Sequence, residues 1–324
     1  MNFFKIIFIF YFATTFNGLF AAGYITEYGI PGCIELKNGK TRVVIDPNIG
    51  GRVLVYEING INILYFDRKN TGITDGKKVQ KVDAGRFDFG PVKTIPNHKK
   101  YFKGKWNATI TGELSVRLTS QIDPKHNIQI IRDFSLDKNS SRLICKQTLI
   151  NKGNKPLRRY LWSRTFVPGD GIYMMPLNPE SRFPRKYATY IRIDGNPMVD
   201  YIPHPEKNVI TEDDMLIING PSDYKRLLTD AANGLLVCLF DTNVMFFKKY
   251  DVAPGRKYGD IVCATASIWH FEDKIYEIEA MGPEELVLPG DSISFTETWF
   301  LTEYKFPAKR KPDIQNVMKK IEEY

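Results

Sequence analysis

Strand signals, closely and regularly punctuated, restrict this chain more than any other feature. Runs such as TRVVIDP, GRVLVYEI, INILYF, ELSVRLTSQ, HNIQIIRDFSL, RLICKQTLIN and PLRRYLWSRTF follow one another, each bounded by Asp, Asn, Gly or Pro. GLLVCLF, VMFFKKY, IVCATASIWHF, KIYEIEAM and SISFTETWFLTEY continue the series. Many short strands at even spacing build a sandwich or a barrel, and short connections make neighbours antiparallel. Aromatic residues are 13% of the chain, with 17 Tyr and 21 Phe, and such side chains suit a pleated surface. The 324 residues suit one large all-β domain or two ordinary ones, and no linker breaks the pattern between about residues 30 and 305.

The ends read differently. Lys5 is the only charge before an apolar run, and Ala21, Ala22 and Gly23 supply small residues after it. This predicts a signal peptide over 1–22, cut near Ala21 or Ala22, and a secreted or periplasmic product. The competing reading is a membrane anchor. Thr14, Thr15, Asn17 and Gly18 interrupt the run, whereas a span needs about 20 apolar residues, so no stable membrane insertion is expected. The mature domain is then 23–310, followed by a helix over 311–324. In KPDIQNVMKKIEEY, Pro312 and Asp313 open that helix, and Ile314, Val317, Met318 and Ile321 share one face that would pack over a sheet edge.

Net charge is +8, from 45 basic and 37 acidic residues. A basic exported protein could meet an acidic polysaccharide, anionic lipid or nucleic acid, although solubility explains the charge equally well. No nucleic-acid motif is present, so no such partner is expected. RLICKQTLI, GLLVCLF and DIVCATAS read as strand interiors in which Cys145, Cys238 and Cys263 serve as small apolar residues, and with Cys33 they form no CxxC, so no disulfide pairing is expected. His98, His126, His204 and His270 make neither HxH nor HExxH. With no P-loop, Rossmann or GxSxG pattern either, neither a metal nor a cofactor is expected, and the chain is expected to be a monomer.

Residues 168 to 232 are rich in Pro, Arg and Tyr and read as a long irregular excursion. Such an excursion in a compact domain is usually disordered or functional, and its aromatic content opposes disorder. Arg182, Lys186 and Tyr187 in PESRFPRKYATY are therefore expected to border a cleft.

Side chains on a strand alternate between faces. In KIYEIEAM, Glu277, Glu279 and Met281 point one way and Tyr276, Ile278 and Ala280 the other. Two carboxylates two residues apart lie about 7 Å from each other. They could hold two hydroxyls, raise one pKa by repulsion, or simply form a solvated face. PLRRYLWSRTF puts Arg158, Tyr160, Trp162 and Arg164 on one face, where aromatic plates and guanidinium forks suit sugar rings, or else form a core Trp with snorkelling arginines. Arg86 and Asp88 in GRFDFGP share a face. Lys248 and Lys249 face opposite ways, and Lys248 is the one expected in a cleft. His270 points away from Trp269 and Phe271, as a structural histidine or as a general acid.

In their order, VVIDPNIGGRVLVYEINGINILY, the stretch from LTSQIDPKHNIQIIRDFSL to PLRRYLWSRTF, and YEIEAMGPEELVLPGDSISFTETWFL resemble the galactose-mutarotase-like superfamily. GRFDFGP, WSRTF, SRFPRKY and SIWHFEDK bring the chain closest to a family of exported bacterial proteins of unknown function within it. The resemblance implies an all-β fold, a large antiparallel supersandwich, to which the residue pattern adds the short C-terminal helix. It also implies a role for Glu279, at the position of the superfamily's general base. The superfamily's general-acid histidine falls in a strand where this chain has Trp162, Ser163 and Arg164. The expectation is thus an exported carbohydrate-binding protein with weak or no epimerase activity, holding a sugar or polysaccharide, which could be an acidic one. Its site would comprise Glu279 and His270 as catalytic candidates and Arg86, Asp88, Trp162, Arg164, Arg182, Lys186, Tyr187, Lys248 and Glu277 as ligand contacts. The alternatives are a carbohydrate-active enzyme (epimerase, lyase or hydrolase) with Glu279 as base or acid, and an interaction protein that kept the fold without the cleft.

Overall fold

A computed structural model describes residues 21–67, 83–91, 99–193, 196–259, 262–271 and 274–324. The expected signal peptide, except its last two residues, and His98 lie outside the described residues. Two antiparallel sheets pack face to face. The first runs from an Ala21–Glu27 edge through Ile30–Lys37, Thr41–Asp46, Arg52–Ile58, Gly85–Gly90 and Leu157–Pro168. It continues through Ile275–Ala280, Ala266–Phe271, Arg226–Thr229 and Ala188–Ile193 to Asn196–Asp200. The second runs from Val209–Glu212 through Met215–Ile218, Ile172–Pro176, Gly234–Phe240, Val244–Tyr250 and Ser292–Glu303. Leu143–Asn151, Ile128–Leu136, Ser115–Thr119 and Asn107–Gly112 complete it.

Alternation along each strand decides what fills the space between the sheets. Trp299 is fully buried there, with Phe87, Tyr56 and Phe246 around it at ring-centroid distances of 5.8, 5.8 and 5.5 Å. GLLVCLF reads as an unbroken apolar run because it is covered on both sides. Leu236, Cys238 and Phe240 face the first sheet, while Leu235, Val237 and Leu239 face the C-terminal helix. A strand buried on both faces loses its polar alternation. All four cysteines are free.

The helix spans Ile314–Glu322, and its N-cap Asp313 accepts a hydrogen bond from the Asn316 N–H at 3.0 Å. Ile314, Val317 and Ile321 are buried against Met245, Phe247 and Phe300. The helix thus covers the outer face of the second sheet and not an edge.

Residues 168 to 232 depart from expectation. They hold six short strands among the described residues, three added to each sheet. Proline and short length hid them, but the backbone pairing is regular, as in Ala188↔Leu228 and Arg226↔Trp269.

Candidate functional site

The outer face of the first sheet, turned away from the second, carries a pocket of about 250 Å³ lined by Tyr160, Trp162, Arg164, Arg226, Trp269, Glu279 and Met281. Register brings these side chains together. Leu157–Pro168 pairs with Ile275–Ala280, Trp162 bridges Met281, and Ser267 lies opposite Glu279. Arg226 lies opposite Trp269. Partners directly opposite in an antiparallel pair share a face, so four strands deliver one patch.

One wall is apolar. Tyr160 and Trp162 stack with centroids 5.4 Å apart, in a buried cluster with Phe183, Tyr258, Val262 and Met281. Two glycines fix the Tyr160 ring. A Cβ on Gly259 would lie 1.8 Å from its Cδ1, and one on Gly90 would lie 2.2 Å from its Cζ.

The other wall is charged. Glu279 is 4% exposed. Its Oε2 accepts from Arg226 Nη2 and Trp269 Nε1, each at 3.0 Å, and from the Ser267 hydroxyl. Its Oε1 accepts no hydrogen bond among the described residues and lies 3.9 Å from Arg164 Nε. Arg226 packs over Trp269 and Tyr190, 4.9 and 5.1 Å from their centroids, and donates to Ser267 Oγ at 3.1 Å. Arg164 grips Glu277 through Nε at 2.5 Å and Nη2 at 3.3 Å, with Asp88 3.8 Å from Nη1. Burial alone would lower the Arg164 pKa, but Glu277, Asp88 and Glu279 outweigh it and hold it above its ordinary value. Burial pushes the Glu277 carboxyl up to about 7, with Arg164 opposing and the Glu279 charge adding to the rise.

The structure brings Trp162, Arg164 and Glu279 together at the pocket and places Glu277 and Asp88 directly behind Arg164. Other expected contacts sit elsewhere. Arg86 shares the face, opposite Arg164, but it is held by Asp83 at 2.6 Å, covered by Phe102, and does not line the pocket. Lys248 belongs to the second sheet and points into the interior. Its Nζ reaches Glu297 at 3.1 Å, Ser163 at 3.0 Å and Thr165 at 2.7 Å. Its placement in the cleft is therefore corrected: Lys248 braces the back of the strand whose front carries Arg164. Burial lowers its pKa, with Glu297 opposing.

His270 points to the interior too, tilted against Tyr276 at 4.9 Å, on the opposite side of the sheet from Glu279. That position rules it out as an acid partner across the pocket. Arg182 donates to the backbone oxygens of Val262 and Cys263, Lys186 pairs with Asp214 at 3.0 Å, and Tyr187 is buried in the main core. None of the three lines the pocket. Sequence reasoning missed Arg226 and Trp269 as contacts. Trp269 could have been found from its parity with Ser267. Arg226 could not, because its strand has only four residues.

No protein-family model matches the chain, and no curated protein matches it significantly. Solved structures do. A galactose mutarotase-like protein from Clostridium acetobutylicum aligns with TM-score 0.61 and 12% identity, over 89% of this chain and 100% of the other. A galactose mutarotase related enzyme from Lactobacillus acidophilus aligns at 0.55 and 10%, over 84% and 97%. A TPR-domain containing protein from Parabacteroides distasonis aligns at 0.57 and 15%, and there this chain covers 88% of itself but spans half of the other. The chain has the galactose-mutarotase-like sandwich fold.

Proposed function

We propose that this chain is an exported carbohydrate-binding protein, with weak or no epimerase activity, whose outer-face pocket holds one sugar ring. The observation that carries this reading is the split pocket. Tyr160 and Trp162 offer flat faces for ring C–H groups, and Glu279 Oε1 faces them as an open acceptor for a hydroxyl. A volume of about 250 Å³ lies just below the roughly 300–1,000 Å³ of sites for drug-sized ligands and suits a single ring. The fold neighbours named for galactose mutarotase lend the same direction. Epimerisation needs an acid and a base placed about one ring, and no histidine is among the described lining residues.

The enzymatic alternative draws on Glu277, whose raised pKa would let it carry a proton beside Glu279. A glycan array with the mature protein, followed by incubation of each hit, separates the two. Binding without anomeric or bond change supports the proposal, turnover supports the alternative, and a blank array refutes both. N-terminal sequencing of exported material tests the export part: a start near Ala22 or Gly23 supports it, and a retained Met1 in membranes opposes it.

A further inference from the structure

The chain's net charge of +8 invites an acidic ligand, but the pocket's own charges point the other way. Both lining arginines are already occupied. Arg164 gives Nε and Nη2 to Glu277 and has Asp88 3.8 Å from Nη1. Arg226 gives Nη2 to Glu279 and Nε to Ser267, with its plane against Trp269 and Tyr190. The ion pairs continue sideways, Arg86 to Asp83 and Arg52 to both Asp83 and Asp46. Along this face, five carboxylates (Asp46, Asp83, Asp88, Glu277, Glu279) meet four guanidiniums.

Resting on the reading of this pocket as a sugar site, we propose that it selects sugars without an anionic group and turns away uronates and sugar phosphates. An incoming carboxylate or phosphate finds both guanidiniums among the described lining residues already paired with carboxylates. Arg164 already has Glu277, Asp88 and Glu279 within 4 Å, and Arg226 has Glu279 at 3.0 Å, so a new anion at either guanidinium must sit beside buried carboxylates. Those carboxylates have little water to screen them, and at low dielectric like charges repel strongly. A hydroxyl or an ammonium meets the opposite situation, because Glu279 Oε1 accepts from either and the Trp162 face attracts a cation.

The test is calorimetric titration of the mature protein with glucose and galactose, and with their 2-amino, uronate and 6-phosphate counterparts. The expected result is that the better-binding neutral or amino sugar binds at least about tenfold more tightly than its own uronate and 6-phosphate. Glu277→Gln, by freeing Arg164, is expected to narrow that gap by strengthening uronate binding specifically. A uronate or phosphate that binds as tightly as the neutral sugar overturns the preference and leaves the sugar site standing. If none of the eight compounds binds while a glycan array gives hits bearing anionic groups only, the preference is again overturned. If the array is blank as well, the sugar site falls and the preference with it.

Discussion

Glu279→Gln is a stability experiment before it is a binding experiment. The carboxylate is 4% exposed, and its Oε2 takes three donors, one of them the Arg226 guanidinium at 3.0 Å. A glutamine can keep its oxygen toward the three donors, but it removes the charge and puts an N–H group at the Oε1 position, 3.9 Å from Arg164 Nε. Removing one partner of a buried ion pair costs about 3–5 kcal/mol, because the other charge stays buried. Ser267 Oγ shares Arg226, and Arg226 packs on two aromatic faces, so the lower end of that range applies: about 3 kcal/mol. Against a total stability of roughly 5–15 kcal/mol this is a large loss. Urea denaturation of wild type, Glu279→Gln, Arg226→Met and the double variant measures it. The expected coupling between the two sites is about 2 kcal/mol, with the double variant less destabilised than the sum of the singles. A Glu279→Gln protein within 1 kcal/mol of wild type, additive with Arg226→Met, would refute the buried-pair account.

Three further outcomes follow from the same geometry. Lys248→Met is expected to lose about 3–5 kcal/mol by stranding Glu297 between the sheets, with Lys248→Met/Glu297→Gln recovering most of it in thermal or urea denaturation. Glu277 titrates at a raised pKa in the folded state, so its contribution is fully present below the unfolded carboxyl pKa of 4.5 and is lost as pH rises through about 7. The stability of wild type relative to Glu277→Gln, measured by denaturation at a series of pH values, is accordingly expected to fall across that window and level off above it. Gly259→Ala forces the Tyr160 ring, which Gly90 also approaches closely, off its position, costing about 1–3 kcal/mol and weakening ligand affinity in a calorimetric titration.

Strand parity in the sequence separated Glu279 and Met281 from Ile278 and Ala280, and Trp162 and Arg164 from Ser163 and Thr165. The backbone register places those residues accordingly. Parity assigns a side, however, and not a sheet. Lys248 does share its side with Phe246, but VMFFKKY belongs to the second sheet, and its Phe246 side is the interior. Position in a sheet depends on non-local pairing, which local alternation does not encode. The excursion misled for a different reason. Its strands are four to six residues long and broken by proline, so the one that carries Arg226 shows no periodicity to read. The charge on Glu279 was legible, while its burial under Arg226 and Trp269 was not. Sequence alone therefore makes Glu279→Gln look harmless to folding.

The chain has four tryptophans, and their indole N–H signals report on both the pocket and the core. Trp269 Nε1 donates to Glu279 at 3.0 Å and Trp162 forms the apolar wall. Trp106 and Trp299 are buried away from it, donating to Tyr101 and Glu297. With the signals assigned by single Trp→Phe variants, nitrogen–proton correlation spectra during titration with the best neutral sugar read the site directly. Saturable shifts at Trp162 and Trp269, with Trp106 and Trp299 unmoved, are the predicted result. Binding that leaves the Trp162 and Trp269 signals unmoved would contradict a sugar site in this pocket.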